Sequence, residues 1–527
     1  MAPFLYDRKV VHTGLFLSYK KRSAWMHTRA KMKMSLMRPR SAREFRKRNS
    51  FLPYRIKGLS CGIGEERKYM VILREQQKQK KDIDEKLWND DFWNLPKNSE
   101  FDIGIAVDIG TTTIAMTILS LPKRKVIGQI SETNEQTKLG ADVMMRIMHT
   151  LSGKGGILHE MVVAQIEQMA QKGLQDKIDF ETFDSKKVHI AVVGNTTMCH
   201  LFLDKSVAGL AGFPFQAAYN GNFSCTGYEI GMKVLKSAKI SVLSGIAAHV
   251  GSDALAVIGT ENLMQKEKVQ LAVDLGTNAE IILNQRGVLR VCSTAAGPAF
   301  EGKGIQCGMP AKSGAVSGVK ISSGNGNIIL EYIGDELPKG LCGSGLVDAI
   351  AEIQKCRVLL SDGYLLTGEE AKKQGVQREI CRQLIKRNGQ TAFLLYRGEK
   401  DGREIYLQQS DIRSVQLAKG AIQAGISALL QLGGISLSNV EEIIVSGVLG
   451  SCLRFGNAVK IGLLPDVSRQ KVFFVGNAAG RGAARVITDK SFSKEMELLA
   501  QQIEHVELAD LPEFQNLLLQ AMDLESW

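Results

Sequence analysis

An α/β fold in two lobes of related design is what this sequence predicts, on three observations. The first is a repeat. Ala106-Val-Asp108-Ile-Gly110-Thr111 returns as Ala272-Val-Asp274-Leu-Gly276-Thr277, identical at five of six positions. The second is texture: from residue 101 onward, short β-branched apolar runs alternate with stretches of helical periodicity, the pattern of sheets covered by helices. The third is that each copy of the repeat is followed by another β-branched strand. A duplicated strand–turn–strand unit therefore marks each lobe.

The elements follow in order. Ile103 to Asp108 is an apolar run ending in a carboxylate, a buried strand; Gly110-Thr111-Thr112-Thr113 makes a tight turn, and Ile114 to Leu119 is the hairpin partner. Residues 157–175 have helical periodicity. Val188 to Val193 is a buried strand closed by Gly194-Asn195, and Lys239 to Leu243 is a short strand after the Gly-rich stretch 207–231. A helix begins within Val250 to Ile258, with Ser252 or Asp253 as its cap. After the second copy, Glu280 to Leu283 is its partner strand. An amphipathic helix opens at Gly343-Ser344-Gly345, and a long one covers 411–432. Glu442 to Val445 and Val472 to Val475 are buried strands ending in Ser446-Gly447 and Gly476-Asn477, and the tail, 493–523, is largely helical. The expected domains are 101–268 for the first lobe and 269–527 for the second.

Residues 1–100 differ. They hold 24 Lys and Arg against 11 Asp and Glu, whereas the rest holds 43 against 44. The net charge of +12 thus belongs to this segment. Without sustained periodicity it is expected to be a basic, disordered extension or linker. A near-neutral body argues against nucleic acid as a partner. The nine cysteines are scattered and include no Cys-x-x-Cys pair, as expected of reduced thiols in a cytoplasmic protein. No run of 18 apolar residues and no secretory h-region is present, so no membrane association is expected.

A strand that ends in Asp and turns at once through Gly-Thr suits phosphate. Glycine lets the backbone approach closely, successive N–H groups can face anionic oxygens, and threonine hydroxyls add donors. The carboxylate is too close to phosphate to bind it without repulsion, and its natural role is to hold Mg²⁺, directly or through water. Two such units would clamp a polyphosphate from opposite sides, an arrangement suited to phosphoryl transfer or hydrolysis. The candidate residues are Asp108 and Asp274 for metal and catalysis; Gly110, Thr111, Thr112 and Thr113 in one loop; and Gly276, Thr277 and Asn278 in the other. Gly343, Ser344, Gly345, Gly447 and Gly450 would leave room for adenosine. Glu301 could orient water. Asp253 suits a helix cap or an outer-sphere metal contact, Ser293 and Thr294 suit turn hydrogen bonding or an oxygen offered toward a partner's metal, and His200 and His249 suit packing.

Asp108-Ile-Gly-Thr-Thr-Thr, Asp274-Leu-Gly-Thr-Asn and Gly447-Val-Leu-Gly450 resemble the phosphate-1, phosphate-2 and adenosine motifs of the actin, sugar-kinase and heat-shock-chaperone (ASKHA, ribonuclease H-like) superfamily. Longer strings are more specific: Val193-Gly-Asn-Thr-Thr-Met198, Cys292-Ser-Thr-Ala-Ala-Gly-Pro-Ala-Phe-Glu-Gly302, Cys342-Gly-Ser-Gly-Leu-Val-Asp348 and Asp411-Ile-Arg-Ser-Val-Gln-Leu-Ala-Lys-Gly-Ala421. They resemble the reductive activators of corrinoid proteins over about residues 101–523. That resemblance implies a cleft for ATP and Mg²⁺ between the lobes, and ATP hydrolysis coupled to reduction of cob(II) to cob(I) on a partner corrinoid protein. It leaves room for a homodimer. Relatives commonly carry Gly-Gly-Phe-Gly where this chain has Gly447-Val-Leu-Gly450, though both flanking glycines remain. The family usually begins with a [2Fe–2S] ferredoxin domain, and such a cluster needs four cysteine ligands. Before Cys199 this chain has only Cys61. No iron–sulfur cluster is therefore expected in it, and electrons would come from an external ferredoxin or another donor. Fold alone leaves two alternatives, a small-molecule kinase and a non-hydrolysing nucleotide-binding regulator. Turnover that rises with a corrinoid protein, rather than with a sugar or acid, separates them.

Overall fold

The computed structural model describes residues 69–73, 88, 93 and 100–527, apart from positions 181, 323 and 400. Strand β1 (Tyr69–Leu73) comes first. The first-lobe sheet follows: β2 (Ile103–Ile109), β3 (Thr113–Ser120), β4 (Lys125–Thr133), β5 (Val188–Gly194), β6 (Phe223–Thr226) and β7 (Lys239–Val242), in the order β4-β3-β2-β5-β7-β6. The second-lobe sheet is built from β8 (Val269–Leu275), β9 (Ala279–Gln285) and β10 (Val288–Thr294) with three late strands, Glu442–Ser446, Val472–Gly476 and Glu504–His505. The sequence repeat becomes a structural one. β2 lies antiparallel to β3 and parallel to β5. β8 likewise lies antiparallel to β9 and parallel to Glu442–Ser446.

Between these parts of the second sheet the chain forms β11 (Ala315–Ile321), β12 (Ile328–Tyr332) and β13 (Gly340–Leu341), then β14 (Leu384–Arg387), β15 (Gln390–Arg397) and β16 (Glu404–Gln408), a three-stranded sheet. The late strands are then β17 (Glu442–Ser446), β18 (Val472–Gly476) and β19 (Glu504–His505), giving the order β18-β17-β8-β9-β10-β19. β1 pairs in parallel with β12, and Trp93 is buried in the core between the lobes. The segment expected to be an extension therefore contributes a strand and a core tryptophan to the body. A five-residue apolar run such as Tyr69–Leu73 is too short to register as periodicity. The other residues of 1–100 fall outside those described.

Strand alternation positions the site. In β2, Ile103, Ile105, Val107 and Ile109 face a first-lobe core shared with α1 (Val143–His149), α2 (Gly155–Leu174) and α3 (Thr196–Phe202). The alternate residues, Gly104, Ala106 and Asp108, face the other way, because successive side chains leave opposite faces of a strand. β8 repeats this: Val269, Leu271, Val273 and Leu275 face the second-lobe core, whereas Ala272 joins the core between the lobes. That middle layer holds α4 (Ser252–Thr260) and a helix near the C-terminus, Ala478–Thr488. Small residues on the strands let these helices lie close to both sheets. The remaining long helices, α5 (Gly343–Lys355) and α6 (Gln409–Leu432), cover the second lobe, so Ala478–Thr488 is α7. The tail is less helical than expected, with helices only at Phe492–Ala500 and Phe514–Gln520 beyond α7.

At the α4–α7 crossing, a Cβ on Gly482 would lie 2.4 Å from the Ala256 Cβ and 2.9 Å from its Cα and carbonyl oxygen. Gly482→Val is expected to push the helices apart and destabilise the protein by about 1–3 kcal/mol, the usual range for overpacking. Denaturant unfolding of the variant beside wild type measures this; equal midpoints would contradict the tight crossing.

Candidate functional site

Asp108 and Asp274 are the penultimate residues of equivalent strands, on faces that look into the layer between the lobes. Both are half-buried. Asp253 from the first turn of α4 and Glu280 from β9 join them. Glu280 is 5 % exposed and lies directly opposite Asp274 in register. Burial pushes Asp108 up to about 8, assisted by the charges of Asp274 and Asp253 and opposed by a hydrogen bond from Asn477; Asn477 Nδ2 donates to Asp108 Oδ2 at 2.9 Å. Burial raises Asp253 to about 7, with Asp274 contributing. Asp274 rises to about 6 through burial, held back by the nearby Ser446 hydroxyl. Glu280 lies well above the ordinary range through burial and then the charges of Asp253 and Asp274.

None of these carboxylates forms an ion pair among the described residues. Such a cluster must take up protons or a cation. No group of three or more His, Cys, Asp or Glu among the described residues makes a preformed metal cage. The donor set fits Mg²⁺ in its usual mode, one or two carboxylates with waters and substrate phosphate. A pH dependence follows. A carboxyl whose pKa is raised on folding stabilises fully below its unfolded value, near 3.8 for Asp, and loses that contribution as pH rises through its folded value. Without nucleotide and metal, thermal stability should therefore fall from about pH 4 to pH 8, and Asp108→Asn should flatten the upper part of the fall. Melting curves across that range check this; a wild-type profile matching the variant's would contradict the raised Asp108.

The loops are shaped by their glycines. A Cβ on Gly110 would lie 2.5 Å from the Thr113 carbonyl oxygen, and one on Gly276 would lie 2.9 Å from that of Asn278. Carbonyls are tied to the protein body. Asn134 Nδ2 donates to Gly110 O at 2.9 Å, Asn134 N to Thr112 O at 2.8 Å, and Gly297 N to Thr277 O at 2.8 Å. In a trans peptide the C=O and the following N–H point in opposite directions. The amides of Thr111 and Asn278 therefore face away from these anchors. The loops meet: the Thr112 and Thr277 hydroxyls are 2.8 Å apart, and Thr277 donates to Glu301 Oε1 at 2.8 Å. Glu301 Oε2 is buried without a partner. Burial raises the Glu301 pKa, opposed by the neighbouring Thr112 and Thr277 hydroxyls.

The other expected residues divide. Gly447, with φ 94°, sits against the loop that follows Asp274: its Cβ would lie 2.5 Å from Leu275 O and 3.2 Å from Asp274 Oδ1. Gly450 is buried against Val445. Gly343, Ser344 and Gly345 are all buried, and the Cβ positions of the two glycines fall 2.0 Å from Phe300 O and 2.1 Å from Val316 O. The first turn of α5 therefore packs closely against the backbone of Phe300 and Val316. Gly251, not Ser252 or Asp253, occupies the cap of α4. Ser252 instead hydrogen-bonds Gly194. Ser293 contacts Glu280 at 3.3 Å, and Thr294 is buried at the end of β10. His200 is a packed residue, bonded to Thr196 O at 2.7 Å and accepting from Ala218 N at 3.0 Å. His249 packs edge-on against Phe215, near a cavity of about 530 Å³ lined by residues including Phe213, Phe215, His505 and Glu507. That cavity is separate from the loops.

Asn134, Glu280, Ser446 and Asn477 escape sequence reading. Of these, Glu280 carries a signal in its own strand, a carboxylate inside an apolar run, since such residues are seldom fully buried unless paired. The paired Asp-Gly-Thr loops on duplicated sheets define a protein of the ASKHA fold. The comparisons agree. A family model described as the C-terminal domain of RACo, the ASKHA domain, matches residues 268–526, and one for the RACo middle region matches 103–266. The chain is 33 % identical over 414 residues to the corrinoid activation enzyme RamQ of Eubacterium limosum, covering 78 % of this chain and 68 % of that protein. It is 26 % identical over 444 residues to the [Co(II) methylated amine-specific corrinoid protein] reductase of Methanosarcina barkeri, 80 % of this chain and 78 % of the relative. A solved reductive activator for corrinoid, iron–sulfur protein superposes with TM-score 0.73 at 26 % identity, over 86 % of this chain and 74 % of the other. The chain belongs to the reductive activators of corrinoid proteins. No helix among the described residues is long and apolar enough to cross a membrane.

Proposed function

We propose that this chain is the ATPase core of a reductive activator. It hydrolyses ATP to ADP and phosphate, and thereby drives one-electron reduction of cob(II) to cob(I) on a corrinoid protein, the electron coming from a separate donor. One observation carries this. Two Asp-Gly-Thr loops, one from each lobe, approach until the hydroxyls of Thr112 and Thr277 are 2.8 Å apart, with Asp108 and Asp274 at the strand ends behind them. A triphosphate entering between the loops parts these hydroxyls, which then donate to its oxygens. The lobes thereby take different positions in nucleotide-bound and free states. A partner that binds those states unequally is shifted by ATP. When bound, Mg²⁺ neutralises charge on the phosphate oxygens, and Asp108 and Asp274 would hold it, directly or through water.

We assign to Glu301 Oε2 the role of taking a proton from water, because it lacks a partner while Oε1 is engaged by Thr277. Glu301→Gln keeps an oxygen for Thr277 and removes the base. It should lower kcat by about 10²–10⁴-fold with little change in KM, the usual range for general-base loss. The test of the function is steady-state Mg²⁺-dependent ATP hydrolysis by the purified chain, with and without a corrinoid protein held as cob(II). Turnover that rises with the corrinoid protein and drops in the Gln variant is expected. Turnover indifferent to the corrinoid protein would contradict the function, and a kcat within a few-fold of wild type would remove Glu301 from it.

The donor assignment is supported by the thiols. The eight described cysteines are spread over both lobes. Four of them, Cys199, Cys292, Cys342 and Cys356, are buried, and burial raises the pKa of each. This environment suits inert packed thiols rather than thiolate ligands.

A further inference from the structure

We propose that Arg146 is the positioning residue of the first phosphate loop: it turns the Thr112 amide toward the nucleotide, and its buried charge is balanced by the terminal phosphate of a bound nucleoside triphosphate. The proposal rests on the nucleotide site described above and adds to it what distinguishes a triphosphate from a diphosphate.

Arg146 lies on α1 and is 0 % exposed. Its guanidinium donates to Gly140 O through Nε at 3.0 Å, to Gln136 Oε1 through Nη1 at 3.1 Å, and to the Thr111 carbonyl through Nη2. Nη1 also lies 2.8 Å from Met198 Sδ. Every one of these acceptors is neutral. Among the described residues Arg146 forms no ion pair. Asp142, the exposed N-cap of its own helix, exerts a weak field, and burial dominates, lowering the Arg146 pKa to about 10. A buried ion without a counter-charge is costly. The fold nevertheless makes room for it: a Cβ on Gly140 would lie 2.8 Å from the Arg146 Cγ.

The Thr111 carbonyl gives this cation a purpose. Because that carbonyl points at the guanidinium, the Thr112 N–H of the same trans peptide points the opposite way. Asn134 does the same for the preceding peptide by holding Gly110 O. The amides of Thr111 and Thr112 are thus both aimed away from the first-lobe body, in the manner of an anion nest. A second cation comes from the other lobe. Lys303 is half-buried two residues after Glu301, and its ammonium feels both the Glu301 carboxylate and the like charge of Arg146. Cations from opposite lobes, Arg146 and Lys303, therefore lie within reach of each other's charge beside Glu301, which Thr277 ties to the meeting point of the loops. A ligand with more negative charge gains more from this field, and the gain is largest where water is excluded.

The test uses the full chain with Arg146→Lys, which keeps the charge and loses the planar fork, and Arg146→Gln, which loses the charge and keeps a donor. Calorimetric affinities for ATP, ADP and adenosine in Mg²⁺ are compared with nucleotide-free melting temperatures. Arg146→Gln should weaken ATP by about 10- to 100-fold, the range for a charge-assisted hydrogen bond, weaken ADP less, and leave adenosine unchanged. Arg146→Lys should keep the wild-type ratio of ATP to ADP affinity. A lower melting temperature with an unchanged ATP-to-ADP ratio in both variants would make Arg146 structural and overturn the proposal. Should Arg146→Gln not fold, loss of the ATP-to-ADP preference in the folded Arg146→Lys would overturn it equally. Wild type that binds neither nucleotide would instead sink the nucleotide site itself.

Discussion

Asp108→Ala and Asp274→Ala should each lower Mg²⁺-dependent ATP hydrolysis by about 10²–10³-fold, the scale seen when a preorganised electrostatic contact at a reacting phosphoryl or carbonyl centre is lost. Both should stay folded. Each removes a carboxylate that burial holds above its ordinary pKa, so near pH 8 the nucleotide-free variants should be as stable as wild type or more so. Turnover and melting temperature measured on the same preparations separate the two effects. Loss of turnover with intact melting places both carboxylates in the chemistry. Unchanged turnover in both variants would remove the clamp.

The second large effect concerns electrons. The purified chain should show no iron–sulfur absorbance after anaerobic reconstitution with iron and sulfide. Cobalt reduction with this chain and ATP alone should fail, because hydrolysis of ATP supplies no electron. It should recover when a reduced ferredoxin or a chemical one-electron reductant is added. Stoichiometric iron and sulfide in the pure chain would contradict the assignment of an external donor.

Much of this site could be read in the sequence, because its main parts are local. The loops Asp108-Ile-Gly-Thr111 and Asp274-Leu-Gly-Thr277 are contiguous strings, and their duplication carries over into strand pairing: β2 and β8 have the same neighbours in the same directions. Alternation in those strands also placed Asp108 and Asp274 opposite the core residues Val107 and Val273. What escaped is long-range. Asn477 reaches Asp108 across 369 positions, and its role as cap of α7 is the only local hint of it. Arg146 reads as an ordinary helical arginine until the fold buries it behind Thr111. Gly343 and Gly345 were legible as glycines that permit a close approach, but not as to what approaches; the neighbour is the backbone of Phe300 and Val316. Glycine reports that space is needed, and only tertiary structure says what fills it.

The most direct measurement follows the cobalt. A corrinoid protein held as cob(II), an external one-electron donor and this chain are mixed anaerobically, and cob(I) is followed by its visible absorbance with MgATP, with a non-hydrolysable analogue and with Asp108→Ala. Cob(I) should accumulate with MgATP and the wild-type chain, and neither with the analogue nor with the variant. Equal accumulation without ATP, or with Asp108→Ala, would contradict an ATP-driven activator.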